Sequence, residues 1–302
     1  MSRTPAHQAL LIAPIVFAAN LIAPIDLTAS TGPPGEMVKF DVDGEKVRAY
    51  LSRPNGERSG PGIIVIHEWW GLNGQIRGFA DRLAGEGYLA IAPDLYRGKV
   101  ADDPEHAHEL MRALDEDRAV TTIRAAAAYL RREEGTAQRP VGTIGFCMGG
   151  SLSLSTALTA PEIQAAVMYY GRIKTGDDAV ASLASPLLGL FGEEDRGIPV
   201  EEVRRFEAEL REAGKTADIH LYPQAGHAFF NETRPSYNRE AAADAWERTR
   251  NFLRKHLIDA PAADAPAGGA PAPGARGDAP GGGREPDGER GSGGERAPDG
   301  RR

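Results

Sequence analysis

Cys147 is the single cysteine in a chain of 302 residues, and it stands in Gly145-Phe146-Cys147-Met148-Gly149-Gly150. A thiol among paired glycines, after an apolar run and before a helix-forming stretch, fits a nucleophile held on a sharp strand-to-helix turn. The plainer reading is a structural thiol, because an unpaired cysteine often behaves as a small buried hydrophobe. Its companions favour chemistry. Asp195 follows an apolar run that ends at Phe191, and His227 lies in Gly226-His227-Ala228-Phe229. Nucleophile, acid and histidine in that order are the parts of a triad, in which a carboxylate orients an imidazole that takes the nucleophile's proton. Alone, Asp195 reads as a turn or capping residue and His227 as a packed or surface histidine. Three such residues in the required order do not arise together easily by chance.

These side chains meet only if a common scaffold delivers them. Residues 37–42 and 46–52 are short extended runs around Asp43-Gly44, a hairpin signal. Buried-strand runs follow at 62–67, 88–92, 141–145, 165–169, 187–191 and 218–222. Helical periodicity separates them at 75–86, from Asp103-Pro104 through Leu114, around Ala125 to Arg132, and at 148–158 and 200–213, with a closing amphipathic helix at 237–256. Alternation of this kind predicts one doubly wound, mostly parallel sheet with helices on both faces, spanning 37–258. Ligands of such sheets bind outside the carboxyl ends of the strands. The residues just past those ends are chemically unusual: His67-Glu68-Trp69-Trp70-Gly71, Pro93-Asp94-Leu95-Tyr96-Arg97, Cys147, Tyr170-Gly171-Arg172, Asp195 and His227.

With Gly145-Phe146-Cys147-Met148-Gly149-Gly150, His67-Glu68-Trp69-Trp70-Gly71, Pro93-Asp94-Leu95-Tyr96, Phe191-Gly192-x-x-Asp195 and Gly226-His227-Ala228-Phe229 in register, residues 37–258 resemble the dienelactone hydrolase family. The resemblance implies an α/β-hydrolase fold and a cysteine-dependent hydrolase of carboxylic esters or lactones that works through an acyl-thioester without cofactor or metal. It adds Glu68, expected to approach the resting thiol and take its proton when substrate enters; otherwise Glu68 reads as a solvated loop carboxylate. A helix N-terminus and His227 would both favour the thiolate. Backbone N–H groups of Met148 and Trp69 are the expected oxyanion donors. Family members that act on carboxylate-bearing lactones place arginines where this chain has Gly98 and Asn231. Arg97, Arg172 and Arg234 lie nearby and are expected either to grip a carboxylate or to be solvated charges. Tyr96, Tyr170 and Phe229, with Trp69, Trp70 and Phe230, are expected to line an aromatic pocket, unless some of them only fill the core.

Composition bounds the partners. A net charge of −8 speaks against a generic polyanion partner, so no nucleic acid is expected, and a small-molecule ester or lactone fits better. One cysteine excludes an intrachain disulfide and paired-cysteine metal sites. Residues 1–36 form an N-terminal extension with a weak signal-like stretch, interrupted by Pro14 and Pro24 and too short to span a membrane; Met37 is an alternative start. A cytoplasmic monomer or small homo-oligomer is expected, with export as the alternative. Two other functions remain open, a thiol-based redox sensor and a non-catalytic binding protein, though a sensor usually has a resolving cysteine.

From Ala260 to Arg302 there is no Val, Ile, Leu, Met or aromatic residue, so 259–302 reads as a disordered tail rich in Pro, Gly, Ala and Arg. Truncation after Ile258 is accordingly expected to leave turnover and the thermal midpoint nearly unchanged. A fall of more than about 5 °C, worth roughly 1 kcal/mol, would show instead that the tail packs on the domain.

Overall fold

Asp43 and Gly44 both take left-handed backbone, with φ of 49° and 83°, as a two-residue hairpin needs to match the right-handed twist of its strands. The turn joins β1 (Glu36–Val42) to β2 (Glu45–Ser52), paired antiparallel from Glu36 opposite Leu51 to Val42 opposite Glu45. The computed structural model describes residues 34–55, 60–133, 139–173 and 177–259. Nearly all of the N-terminal extension and the tail therefore lie outside the described residues.

Past the hairpin, strands and helices alternate. The order is β3 (Gly62–Ile66), α1 (Gly74–Gly85), β4 (Leu89–Pro93), α2 (Pro104–Arg112), α3 (Glu116–Leu130), β5 (Val141–Phe146), α4 (Met148–Thr159) and β6 (Ala165–Tyr169). Then come α5 (Asp177–Ala181), β7 (Leu187–Gly192), α6 (Val200–Glu212), β8 (Ala217–Tyr222) and α7 (Arg239–Leu253), which ends in a π-helical turn at Arg254–Ile258. The eight strands form one sheet in the order β1-β2-β4-β3-β5-β6-β7-β8. Pairing is antiparallel between β1, β2 and β4 and parallel from β4 onward. This is the α/β-hydrolase fold.

Alternation along the central strands divides the core. Ile63 and Val65 of β3, with Ala90 and Ala92 of β4, join Phe79 of α1 and Trp246 of α7 on one face. Ile64, Ile66, Leu89 and Ile91 join Ile123, Ala127 and Leu130 of α3 on the other. Both faces are covered, so these strands are apolar throughout, as parallel strands must be.

Capping residues set the helix starts. Asp103 accepts from the Glu105 and His106 N–H groups ahead of Pro104, as its sequence signature predicts. Asp115 accepts from Arg118 N–H at 3.0 Å and opens α3 there, which separates it from α2. Short α5 has no counterpart among the expected elements. No helix among the described residues is long and apolar enough to cross a membrane.

Candidate active site

Because β3 to β8 run parallel, their carboxyl ends share one edge of the sheet, and the loops leaving that edge carry the candidate residues. Cys147 falls between β5 and α4 with φ 53° and ψ −117°. A non-glycine residue held there is strained by about 1–3 kcal/mol, which the surroundings must enforce. They do so through Cys147 N–H, which donates to Tyr169 O at 3.0 Å, and Cys147 O, which accepts from Ser151 N–H at 3.1 Å. Close approach completes the turn. A Cβ at Gly149 would collide with the carbonyl oxygens of Ile66 and His67, so the start of α4 rests directly on the end of β3. Gly149→Ala is expected to destabilise by about 1–3 kcal/mol through overpacking, read from the urea midpoint; an unchanged midpoint would mean that the contact yields freely.

That contact also sets Met148 beside the loop carrying Trp69. Among the described residues, neither backbone N–H donates to a protein acceptor, which leaves both free to receive a developing oxyanion.

His227 joins the acid to the thiol. Its Nδ1 lies 2.7 Å from Asp195 Oδ2, and Cys147 lies near enough to its ring to raise the His227 pKa. Asp195 is buried, and its second oxygen accepts from Gly197 N–H at 2.8 Å. A carboxylate can only accept, so Nδ1 carries a proton and Nε2 is left for the thiol. Burial disfavours the imidazolium, but the bonds and charges of Asp195 and Cys147 outweigh it and push the His227 pKa up to about 10. The ring stays accessible, with 42% of the side chain exposed.

Glu68 is placed differently from expectation. It is buried, its Oε1 accepts from Tyr170 OH at 3.3 Å, and its Oε2 accepts from Asn231 Nδ2 at 2.7 Å. Among the described residues it makes no hydrogen bond to Cys147. Burial raises its pKa, opposed by Asn231 and by the charge of His227. Neighbouring His67 is fully buried: Nδ1 meets Glu68 O at 2.6 Å and Nε2 accepts from Leu95 N–H at 3.3 Å, so the ring ties the loop after β3 to the loop after β4. Desolvation pushes its pKa down, and the neutral form suits both contacts.

The expected substrate contacts separate into groups. Tyr170 (φ 36°) lies with its ring 5.2 Å from His227. Buried Tyr96 packs 4.9 Å from His67 and donates to Met148 Sδ at 3.2 Å. Arg172 is exposed, and its backbone N–H donates to Ser151 Oγ. Arg234 holds its guanidinium 3.5 Å over the Trp70 ring.

Two other residues take the plainer of the alternatives the sequence left open. Phe229 is fully buried among Tyr169, Tyr170 and Tyr222, where aromatic packing gains more than a pocket wall would. Arg97 pairs with Glu45 of the hairpin at 3.2 Å, where left-handed backbone at Arg97 and Gly98 turns the chain. It lines a cavity of about 360 Å³ with Tyr96, Leu110 and Arg118, to which none of Cys147, Asp195 or His227 contributes.

Comparison with known proteins follows the same lines. The dienelactone hydrolase family model matches residues 47–257. Protein usf of Aquifex pyrophilus is 36% identical over 231 residues, covering 74% of this chain and 99% of its own. An Escherichia coli (strain K12) protein named "Putative carboxymethylenebutenolidase" is 35% identical over 229 residues, covering 70% of this chain and 84% of its own. The crystal structure named "Putative Dienelactone Hydrolase" from Klebsiella pneumoniae superposes with a TM-score of 0.68 at 33% identity, covering 73% of this chain and 98% of that one. The chain belongs to the dienelactone hydrolase family and is a hydrolase.

Proposed function

We propose that this hydrolase cleaves carboxylic esters or lactones through an acyl-thioester on Cys147. The observation that carries the reading is His227, bonded to Asp195 at 2.7 Å and standing near enough to Cys147 for the thiol to raise its pKa. In the first half-reaction the Cys147 sulfur attacks the carbonyl carbon while its proton is held on His227 Nε2. The N–H groups of Met148 and Trp69 receive the oxyanion. Collapse of the tetrahedral adduct breaks the acyl–oxygen bond, and His227 returns the proton to the departing alkoxide. In a lactone that alkoxide stays attached to the acyl group. In the second half-reaction, water gives a proton to His227 and its oxygen to the thioester carbonyl, releasing a carboxylic acid and restoring the thiol. Every step is acid–base or nucleophilic, so the reading calls on no cofactor.

Arg172, exposed at the end of β6, and Arg234, stacked on Trp70, are the cations we assign to an acidic substrate group. Tyr96 and Tyr170 shape the space around the thiol.

The acyl-enzyme itself is the test. Rapid acid quenching during turnover of a chromogenic acetate ester, followed by mass spectrometry of the peptide containing Cys147, is expected to show one acetyl group on sulfur that disappears as substrate runs out. Turnover with acetyl on no side chain, or on a residue other than Cys147, would refute the mechanism.

A further inference from the structure

Asn231 lies on the segment between β8 and α7 that also carries His227, and it is 1% exposed. Its side-chain oxygen accepts from both the N–H and the hydroxyl of Thr233, at 3.0 and 2.7 Å. Two donors on one oxygen fix which end of the amide faces which way, so the nitrogen must turn to Glu68, and Nδ2 lies 2.7 Å from Oε2. The backbone holds this placement through Asn231 N–H to Ala228 O and Arg234 N–H to Asn231 O, both at 3.0 Å. With Tyr170 on the other oxygen, each oxygen of Glu68 is turned to a partner other than the thiol.

We propose that Asn231 is a positioning residue that latches Glu68 in a retracted pose, clear of Cys147, and so leaves the resting thiol paired with His227. A carboxylate freed into the site would accept the thiol proton in a hydrogen bond or repel the thiolate, and either lowers the nucleophilic fraction. A neutral amide prevents this without setting a second cation beside His227. The consequence for turnover rests on Cys147 being the nucleophile; the latch itself does not.

The test therefore reads the thiol and not the product. Cys147 faces His227, Tyr96 and Tyr170, while Glu68 faces Tyr170, Asn231, His227 and Arg234. Only Asn231 and Glu68 are changed. Iodoacetamide labelling of Cys147 is followed by mass spectrometry from about pH 5 to about pH 10. In Asn231→Leu, with Asn231→Ala as the second variant should leucine disturb folding, alkylation near neutral pH is expected to slow about fivefold or more, and its half-maximal pH to rise. In the Glu68→Gln background the same substitution should change the rate by less than about twofold, because Asn231 acts through Glu68. An unchanged half-maximal pH in both Asn231 variants overturns the latch. So does a slowing that persists undiminished with Glu68→Gln, which would make Asn231 a packing residue. Ester turnover measured alongside separates the two proposals, since fully alkylated wild type that still hydrolyses esters refutes the nucleophile and leaves the alkylation comparison to judge the latch.

Discussion

Cys147→Ala is expected to lower kcat/KM by about 10⁴-fold or more on every ester or lactone the wild type accepts, since removing the nucleophile of a triad leaves only binding and oxyanion stabilisation. Folding should hardly notice. The thiol is only partly buried, alanine meets the same left-handed backbone cost, and the turn is held by Tyr169 O and Ser151 N–H, which the substitution does not touch. Cys147→Ser should fall between the two, because a hydroxyl ionises far less readily than a thiol and the same imidazole must then do more. The measurement is a panel of chromogenic esters, lactones and dienelactones with all three proteins, alongside thermal midpoints. An alanine variant as active as wild type would move the nucleophile elsewhere. One that is inactive and also melts far below wild type would show a structural thiol and leave the chemistry open.

The sheet was legible because its signals are local. Runs such as Gly62–Ile66 and Leu89–Pro93 are apolar at every position, as strands covered on both faces must be. Asp43-Gly44 and Asp103-Pro104 announce a turn and a cap through backbone chemistry that reaches only a few residues. The grouping of the candidate residues was legible for a related reason: a parallel sheet turns the vague property of following a strand into a spatial one, so Cys147, Asp195 and His227 could be collected before any distance was known.

What failed to show in the sequence depends on long-range contact. Glu68 finds Tyr170 at a separation of 102 residues and Asn231 at 163, and no periodicity couples positions so far apart. Asn231 drew notice only as the residue standing where an arginine was expected; that its amide would turn to a carboxylate depends on Thr233, which no pattern marks. Phe229 stayed open because an aromatic beside His227 is equally compatible with a pocket wall and a core, and the choice falls to the facing side chains, Tyr169, Tyr170 and Tyr222. Arg97 stayed open between a substrate carboxylate and solvent because a long side chain can turn either way, and it is exposed and paired with Glu45 of the hairpin.

On the proposed mechanism, Asp195→Asn is expected to cost about 10³- to 10⁴-fold in kcat/KM with acylation still at Cys147. An asparagine can offer Nδ1 either its oxygen or its nitrogen, so the imidazole is no longer held with its proton on Nδ1, and the ion pair that stabilises the imidazolium is gone. The wild-type lift of the His227 pKa to about 10 owes much to Asp195, although burial works against it. A histidine whose folded-state pKa exceeds its unfolded value of about 6.5 adds stability that is fully present below about pH 6.5 and lost as pH rises toward about 10. The thermal midpoint of wild type should therefore exceed that of Asp195→Asn by most in mildly acidic solution, and the gap should narrow across that window. With 42% of the His227 side chain exposed, solvent screens the pair and the narrowing should be modest. A gap that stays constant from about pH 6 to about pH 10 would mean that Asp195 supports the loop through its bond to Gly197 N–H and not through the imidazolium. A variant that hydrolyses esters at the wild-type rate would remove Asp195 from the triad altogether.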